Sequence, residues 1–156
     1  MTNRSNLVYF EDLEVGMELW GTEEVANRDE MLGYARRYDP WPMHIDEEAA
    51  AQSPFGELVA SGGYTISLWY RSGHGIWHRP DWTAAFLGGF DWQVKFPQPL
   101  RPGEKVRARS VISDMRRSSK PGRGVVTHKS DLLNQEGDTF LVVDVVFLIA
   151  TRPETS

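Results

Sequence analysis

Residues 64–77, YTISLWYRSGHGIW, decide the fold because they form a helix-length segment that is apolar on nearly every side. A surface helix has one apolar stripe and a polar opposite face, whereas a helix that is apolar all round is buried. Beyond Trp82 the pattern changes to the alternation typical of strands. The sequence therefore predicts a buried helix that packs against a sheet formed later in the chain.

The second half of the chain is predicted to be a series of antiparallel strands. The linkers SSKPGRG and EGD contain the turn residues that suit hairpins. The last strand, TFLVVDVVFLIAT, is apolar on both faces, so we expect it inside the sheet rather than at an edge. The predicted strands are 84–96, 105–117, 124–135 and 139–151, with 16–26 as a further strand.

The first half of the chain is predicted to be mostly helical. Residues 27–38 form a helix with Asn27 or Asp29 as its N-cap. This helix must end near Asp39, because a residue before proline is pushed out of the α region. A short helix with an acidic first turn follows at 46–52. Helices followed by antiparallel strands indicate the α+β class, and 156 residues fit one domain over 1–156.

Composition excludes several classes of function. The formal net charge of −5 argues against a nucleic-acid-binding protein, which has a basic face. The chain has no cysteine, so disulfides, thiolate metal sites and a thiol nucleophile are excluded. No apolar run approaches the roughly 20 residues that span a bilayer, and the first residues lack the apolar core of a signal peptide. We therefore expect a cytoplasmic protein that does not bind membranes.

The segment YDPWPMHID, residues 38–46, places a carboxylate and an imidazole at the two ends of a link that contains two prolines. Pro40 and Pro42 fix two φ angles, which reduces the entropy lost in holding Asp39 and His44 in one geometry. Such a pair can serve as general acid and base. An Asp before Pro is also common where a helix ends, and a histidine near an acid is common where a helix starts. The residues alone leave both interpretations open.

Two histidines of the apolar helix, His74 and His78, lie one helical turn apart, as in zinc-binding helices. Gly75 stands where a zinc protease needs glutamate, and no third ligand is evident, so no metal site is predicted. We expect these histidines to cap the helix end or to line a channel. The aromatic residues of this helix are core residues or line a pocket for an acyl group: Tyr64, Trp69 and Tyr70.

Several segments together resemble the MaoC-like dehydratases, the family of (R)-specific enoyl-CoA hydratases. The resemblance lies in YDPWPMHID, SPFGELVASGGYT, FEDLEVGMEL, PLRPGEKV and NQEGD, and so covers most of the chain. The family pattern is Asp, a variable residue, Asn-Pro, a variable residue and His. Asp39, Pro42 and His44 match it, whereas Trp41 stands in place of the asparagine and ASGG replaces the commoner His-Gly at the helix start. The resemblance implies a hotdog fold, in which an antiparallel sheet wraps around a central helix.

The same resemblance implies a hydratase or dehydratase of enoyl thioesters, with coenzyme A as part of the substrate and no other cofactor. It assigns acid–base chemistry to Asp39 and His44, and binding of the thioester oxygen to the backbone N–H of Gly62. The alternative interpretation of Gly62 and Gly63 is that they only join a loop to a helix. The favoured interpretation of Asp46 is that it is an N-cap. The remaining expected substrate-binding residues are Ser61, Gly63, Trp41 and Tyr64. A homodimer is also implied.

A basic cluster in RRSSKPGRG offers candidate contacts to the phosphates of coenzyme A, because guanidinium groups pair well with phosphate. A solvated hairpin tip is the alternative interpretation of these residues: Arg116, Arg117, Lys120 and Arg123. Two other functions remain open. The chain could be a hotdog module that binds an acyl thioester without converting it, an alternative that the departure at Trp41 supports, or an acyl-CoA thioesterase.

Overall fold

The centre of the protein is helix α4, Gly62–Trp77, in a computed structural model that describes residues 6–155. The helix begins two residues before the predicted range, because the side chain of Ser61 caps it by accepting a hydrogen bond from the N–H of Tyr64 at 3.2 Å. Leu68 is among the residues that the helix buries against the sheet. The prediction of a helix packed against the sheet is therefore confirmed, but the helix is not buried on every side, because Ser67, Tyr70, Arg71 and His74 are exposed.

An antiparallel sheet wraps around α4, which confirms the predicted α+β class and hotdog fold. The predicted last strand lies between two others, as its two apolar faces required. The predicted strand at 16–26 is two short strands that both pair with the same neighbour. In sheet order the strands are β2 (Glu18–Trp20), β7 (Lys105–Arg117), β8 (Arg123–Leu133), β9 (Thr139–Ala150) and β6 (Phe86–Lys95), and β3 (Glu24–Val25) also pairs with β7.

Helix α4 is hydrogen-bonded to the sheet at the gap between β2 and β3. The hydroxyl of Ser72 donates to the carbonyl of Thr22 at 2.6 Å and accepts from the N–H of Ala108, in β7, at 2.8 Å. The N–H of Thr22 donates to the carbonyl of Ser72 at 3.2 Å. A Cβ at Gly21 would lie 2.3 Å from that carbonyl oxygen, so the helix approaches this closely only because the residue is glycine.

In the described part of the chain, three α-helices and a 3-10 turn at Phe10–Asp12 precede α4, and one of these α-helices was not predicted. Helix α1, Arg28–Tyr38, uses Asn27 as its N-cap and ends at Asp39, as expected from the proline that follows. Helix α2, Pro42–Ile45, is a single turn where the sequence indicated only a stiff link, and Pro42 occupies its first helical position. Proline fits there because that position has no intrahelical hydrogen bond to lose.

Helix α3, Glu47–Gln52, has Asp46 as its N-cap, with the carboxylate accepting from the N–H of Ala49 at 2.9 Å. This confirms the favoured interpretation of Asp46. Within the described part of the chain, no helix is long and apolar enough to cross a membrane.

The predicted strand 84–96 is divided, and its first residue, Ala84, belongs to a second, smaller sheet. That sheet consists of β1 (Leu7–Val8), β4 (His78–Arg79) and β5 (Trp82–Ala84), with β1 parallel to β5. The longer part, β6, has irregular pairing with β9 on either side of Gly88 and Gly89. Within residues 6–155, β6 pairs with β9 alone, so its other edge is open.

Candidate active site

The ring of His44 is held in one orientation by the backbone. Helix α2 directs it inward, where its Nδ1 lies 2.8 Å from the carbonyl oxygen of Val59. A carbonyl only accepts hydrogen bonds, so Nδ1 carries the proton and donates. Nε2 of the neutral ring is then left with a lone pair, and it points toward Oδ2 of Asp39 at 3.7 Å. The surrounding backbone therefore fixes the tautomer as well as the position.

Asp39 is the C-cap of α1, and its carboxylate lies beside the ring of His44. The side chain is about 36% exposed, so water reaches it, whereas that of His44 is only 10% exposed. A separation of 3.7 Å between Nε2 and Oδ2 is longer than a hydrogen bond but short enough for one water to contact both atoms. The one-turn helix α2 places these two groups around a single water position.

Gly62 and His44 line the same cavity, which has a volume of about 450 Å³. Gly62 is the first residue of α4, where backbone N–H groups have no intrahelical acceptor and the helix dipole favours negative charge. A Cβ at this position would lie 2.9 Å from Cζ of Phe96, which forms the opposite wall. The remaining lining residues include Phe55, Val59, Ala60, Thr65 and residues 97–100.

Two neighbours of Gly62 that were expected to bind substrate have structural contacts instead. The hydroxyl of Ser61, in a fully buried side chain, caps α4 through the N–H of Tyr64. A Cβ at Gly63 would lie 2.2 Å from the hydroxyl oxygen of Tyr34, so Gly63 permits α1 and α4 to pack closely. Both glycines therefore permit close packing, Gly63 against Tyr34 and Gly62 against Phe96, and only Gly62 lines the cavity.

Tyr64 and Trp41 also lie away from the cavity wall. The hydroxyl of Tyr64 donates to Glu30 at 3.0 Å and accepts from the N–H of Asn27 at 3.2 Å. Burial, together with that bond to Glu30, raises the pKa of Tyr64 to about 12, so it stays neutral and joins α1 to α4. Trp41 is next but one to Asp39 in the chain, but its side chain is 64% exposed. Within one chain, Trp41 is therefore not placed against the cavity that His44 lines.

A second and larger cavity of about 600 Å³ lies against the C-terminal half of α4. His74 and His78 line it, with ring centroids 6.1 Å apart, as the expectation of a channel-lining role required. Among the residues that the structure describes, no cluster of side chains is arranged to hold a metal ion. Aromatic rings form much of the wall of this second cavity: Trp69, Tyr70, Trp77, Phe86, Trp92 and Phe147.

His128 lines this second cavity, and sequence reasoning missed it. Its side chain points from β8 toward α4, and its ring centroid lies 5.4 Å from that of Trp77. Burial lowers the pKa of His128 to about 4, so the ring is neutral near pH 7. Its Nδ1 is buried without a hydrogen-bond partner among the described residues. The alternation of Val126 and Leu132 with His128 was a signal that this side chain faces the core.

The basic cluster lies at the opposite end of the sheet from Gly62. The N–H of Ala60 donates to the carbonyl of Leu100, which places the start of α4 near the start of β7. The strand then runs 13 residues, or roughly 40 Å, to Arg117. Arg117 itself pairs with Glu11 at 3.1 Å. Within one chain, the structure therefore does not bring the His44 cavity together with the four basic residues: Arg116, Arg117, Lys120 and Arg123.

Comparison with known proteins gives matches that cover most of the chain. The model of the MaoC like domain matches residues 13–132. A crystal structure described as the MaoC-like dehydratase from Rhodospirillum rubrum superposes with a TM-score of 0.86 and 29% identity, over 94% of this chain and 99% of that one.

Curated relatives match over shorter segments. The 3-hydroxybutyryl-CoA dehydratase of Methylorubrum extorquens is 41% identical over 63 residues, which are 40% of either chain. Nodulation protein N of Rhizobium meliloti is 38% identical over 105 residues, or 66% of this chain and 63% of that protein. The chain thus spans less than two thirds of the length of these relatives.

Proposed function

The chain belongs to the MaoC-like dehydratase family, and on that premise we propose that it adds water to, or removes it from, the double bond of enoyl thioesters in the cytoplasm. Coenzyme A esters are the proposed substrates, and the dehydratase from Methylorubrum extorquens supports this choice by its name. The observation that carries the proposal is the position of His44, whose Nε2 lies 3.7 Å from Oδ2 of Asp39 and whose ring lines the same cavity as Gly62.

In the hydration direction, one water lies between Oδ2 of Asp39 and Nε2 of His44, both of which accept hydrogen bonds from it. The oxygen of this water forms a bond to C3 of the enoyl thioester, and the pair removes its proton and delivers a proton to C2. Negative charge builds on the thioester oxygen during the attack. The N–H of Gly62 donates a hydrogen bond to that oxygen, at the end of α4 where the dipole favours the charge. Dehydration is the reverse of these steps.

A panel of enoyl-CoA esters tests the proposal directly. We expect loss of the conjugated-enone absorbance without release of free thiol, which identifies hydration. Release of thiol would identify a thioesterase instead. Binding of the esters by calorimetry with neither change would identify a module that holds acyl thioesters without converting them.

We also propose that two copies of the chain pair through β6. This strand has an open edge and carries exposed apolar side chains, which is the kind of edge that pairs with another strand. Phe86, Phe90 and Phe96 are each at least half exposed. A second copy would cover these side chains and complete the pairing of the strand.

Sedimentation of two variants tests this pairing. Phe90→Lys places a charge at the open edge and should shift the protein from dimer to monomer at micromolar concentration. Val15→Lys is the matched control, because Val15 is about as exposed as Phe90 but lies in the turn before β2, at the opposite edge of the sheet from β6. A wild-type monomer, or a dimer that withstands Phe90→Lys, would refute pairing through this edge.

Antiparallel pairing of the two β6 strands would also give the basic cluster a role. The register places Phe86, Ile149, Gly124 and Arg117 in one row across the sheet, so the arginines lie at the Phe86 end. In an antiparallel pair that end lies beside the Phe96 end of the partner, where the His44 cavity opens. We propose that Arg116, Arg117, Lys120 and Arg123 bind coenzyme A phosphates in the cavity of the partner rather than in that of their own chain.

A further inference from the structure

The second cavity lies on the same face of α4 as the first. Successive residues of one helical stripe line the two cavities in order, because positions three and four apart share a face. Gly62 and Thr65 line the first cavity, and Trp69, Gly73 and Trp77 line the second. Phe86, Gly89 and Trp92 of β6 line the second cavity, and Phe96, the residue after β6, lines the first. A group that starts at Gly62 and follows this stripe therefore reaches the second cavity.

The distances set the length of a group that could do so. Helix α4 rises about 1.5 Å per residue, so Tyr70 and Trp77 lie roughly 12 and 22 Å beyond Gly62 along the axis. A crotonyl group is too short to span this distance. An acyl group of about ten carbons, or a shorter chain that ends in a ring, would place its distal part between Trp69, Tyr70 and Trp92.

The walls of the second cavity suit a flat, apolar group. The ring of Trp92 packs against those of Trp69 and Tyr70, with both centroid distances 5.4 Å. Trp77 and Phe147 pack together at 5.4 Å further along. Aromatic walls favour a ring as ligand, because offset and edge-to-face contacts add to the burial of area.

The floor of the cavity adds polar groups without any charge. The hydroxyl of Ser130 accepts from Trp69 at 2.8 Å and from Ser110 at 2.9 Å, and it donates to the carbonyl of Arg109, so its capacity is filled. The hydroxyl oxygen of Ser110 still has lone pairs to offer. The neutral ring of His128 has a donor on one nitrogen and an acceptor on the other, and its buried Nδ1 has no partner in residues 6–155. These groups suit a ligand hydroxyl, whereas a carboxylate would be buried without a cation.

We infer that the second cavity receives the distal part of the acyl group, and that this part is a ring that carries a neutral hydroxyl. The inference rests on the proposed function, since it assigns a substrate class to the same site. The ring would lie among Trp69, Tyr70 and Trp92, and the hydroxyl would reach the polar floor at Ser110 and His128. Without such a ligand, Nδ1 of His128 has no hydrogen-bond partner among the described residues, although the ring lines a cavity whose wall is largely aromatic.

Calorimetric binding of saturated thioesters tests the inference without requiring turnover. The pair to compare is 8-(4-hydroxyphenyl)octanoyl-CoA and 8-phenyloctanoyl-CoA, which differ only in the hydroxyl. We expect the hydroxylated ester to bind about 3- to 10-fold more tightly, the range of one net hydrogen bond. Equal affinity, or tighter binding of the unsubstituted ring or of plain octanoyl-CoA, would overturn the inference.

Two variants locate the effect. His128→Phe and Ser110→Ala should each reduce the preference for the hydroxylated ester toward one, and a melting curve establishes that each variant is folded. Lys129→Ala is the matched control, since Lys129 is the next residue of β8 and its side chain is exposed on the other face. The inference is refuted if the preference survives both substitutions in folded protein.

The corresponding 2-enoyl esters then separate this inference from the proposed function. If the hydroxylated ester binds more tightly but no enoyl ester is hydrated, the proposed hydratase activity is rejected and the proposed ligand class is retained. If short enoyl esters are hydrated but the two ring-bearing esters bind equally, the hydratase activity is supported and the proposed ligand class is rejected. Tryptophan fluorescence should also detect tighter binding of 4-ethylphenol than of ethylbenzene. If neither compound binds, side chains of a second copy fill the cavity, and the inference is overturned.

Discussion

Two buried histidines lie near opposite ends of α4: His44, on α2, and His128, on β8. They differ in their hydrogen-bond partners rather than in their burial. His44 donates from Nδ1 to Val59 and faces a carboxylate, whereas Nδ1 of His128 has no partner in the described chain and its ring lies among aromatic side chains. A fixed tautomer beside a negative charge equips the first ring for proton transfer. Burial among apolar groups keeps the second ring neutral, which suits it to hydrogen bonding. The surroundings of each ring, and not the residue type, therefore set the different roles that we expect for His44 and His128.

The largest expected effect would come from removing the charge beside His44. Asp39→Asn preserves shape but removes the negative charge, and His44→Ala removes the imidazole. Each should lower kcat/KM on a good enoyl-CoA substrate by at least about 100-fold, since positioned proton transfer contributes about 10²–10⁴-fold. The double variant should be little worse than the poorer single variant, because groups that act as a unit are not additive.

Melting temperatures separate this outcome from a structural one. If the pair is structural, activity should fall only in proportion to lost folded protein, and the comparison between the two histidines would fail.

A pair of adjacent glycines sharpens the comparison at the start of α4. A methyl group at Gly63 meets the hydroxyl of Tyr34, and a methyl group at Gly62 meets the edge of the half-exposed Phe96 ring. Gly63→Ala should therefore cost about 1–3 kcal/mol of stability through overpacking. Gly62→Ala should change the melting temperature less, yet lower kcat about 10-fold by displacing the thioester oxygen from its donor. Circular-dichroism melts and steady-state kinetics on both variants measure this. Equal losses of activity and stability in the two variants would show that Gly62 is also a packing residue.

The pH dependence of stability tests the other end of the helix. The folded protein holds the pKa of His128 near 4, below the unfolded value near 6.5, so the unfolded chain binds more protons between these values. Stability is therefore fully present above pH 6.5 and is lost as the pH falls toward 4. From pH 7.5 to 5 this group should remove about 2 kcal/mol from the free energy of unfolding.

Urea unfolding at the two pH values measures that loss. His128→Phe should abolish this part of the pH dependence, and Lys129→Ala should retain it. If the free energy of unfolding of His128→Phe depends on pH as in the wild type, His128 is charged or paired in the folded protein. The two histidines would then not differ in their partners as described above.

The smallest effect is expected at Trp41. Because its side chain is largely exposed, Trp41→Asn should alter the free energy of unfolding by no more than about 0.5 kcal/mol. Its place beside Asp39 in the chain leads us to expect a few-fold change in the ratio of kcat/KM between short and long enoyl esters. A panel from crotonyl-CoA to dodecenoyl-CoA measures the ratio. A large drop in melting temperature with an unchanged ratio would make Trp41 a structural residue.

Most of the fold was predictable because its periodicities are strong. Strand β7 has the predicted bounds, Lys105–Arg117, and α4 was recognised from its apolar surface. The one-turn helix α2 was missed because two prolines within three residues suggest extended chain, although Pro42 is favourable at a first helical position. The parallel pairing of β1 with β5 joins segments about 75 residues apart, and no local pattern indicates it.

The candidate site was predictable only in part. Asp39, His44 and Gly62 came from a family pattern, and the structure places His44 near Asp39 and in the same cavity as Gly62. The carbonyl of Val59, which sets the tautomer, is a backbone group that any residue supplies, so no sequence signal marks it. The four basic residues were expected near the substrate, but position along a chain does not show which end of a sheet a hairpin occupies.

The hydrogen bonds of Ser72 have a consequence for how new specificities arise in this scaffold. Because the hydroxyl and carbonyl of Ser72 connect α4 to Thr22 and β7, the helix cannot slide along its own axis without breaking them. The distance along α4 between Gly62 and the residues that line the second cavity is thus fixed by the architecture. Descendants that acquire longer or shorter substrates must do so by exchanging side chains along the stripe, with the backbone left in register.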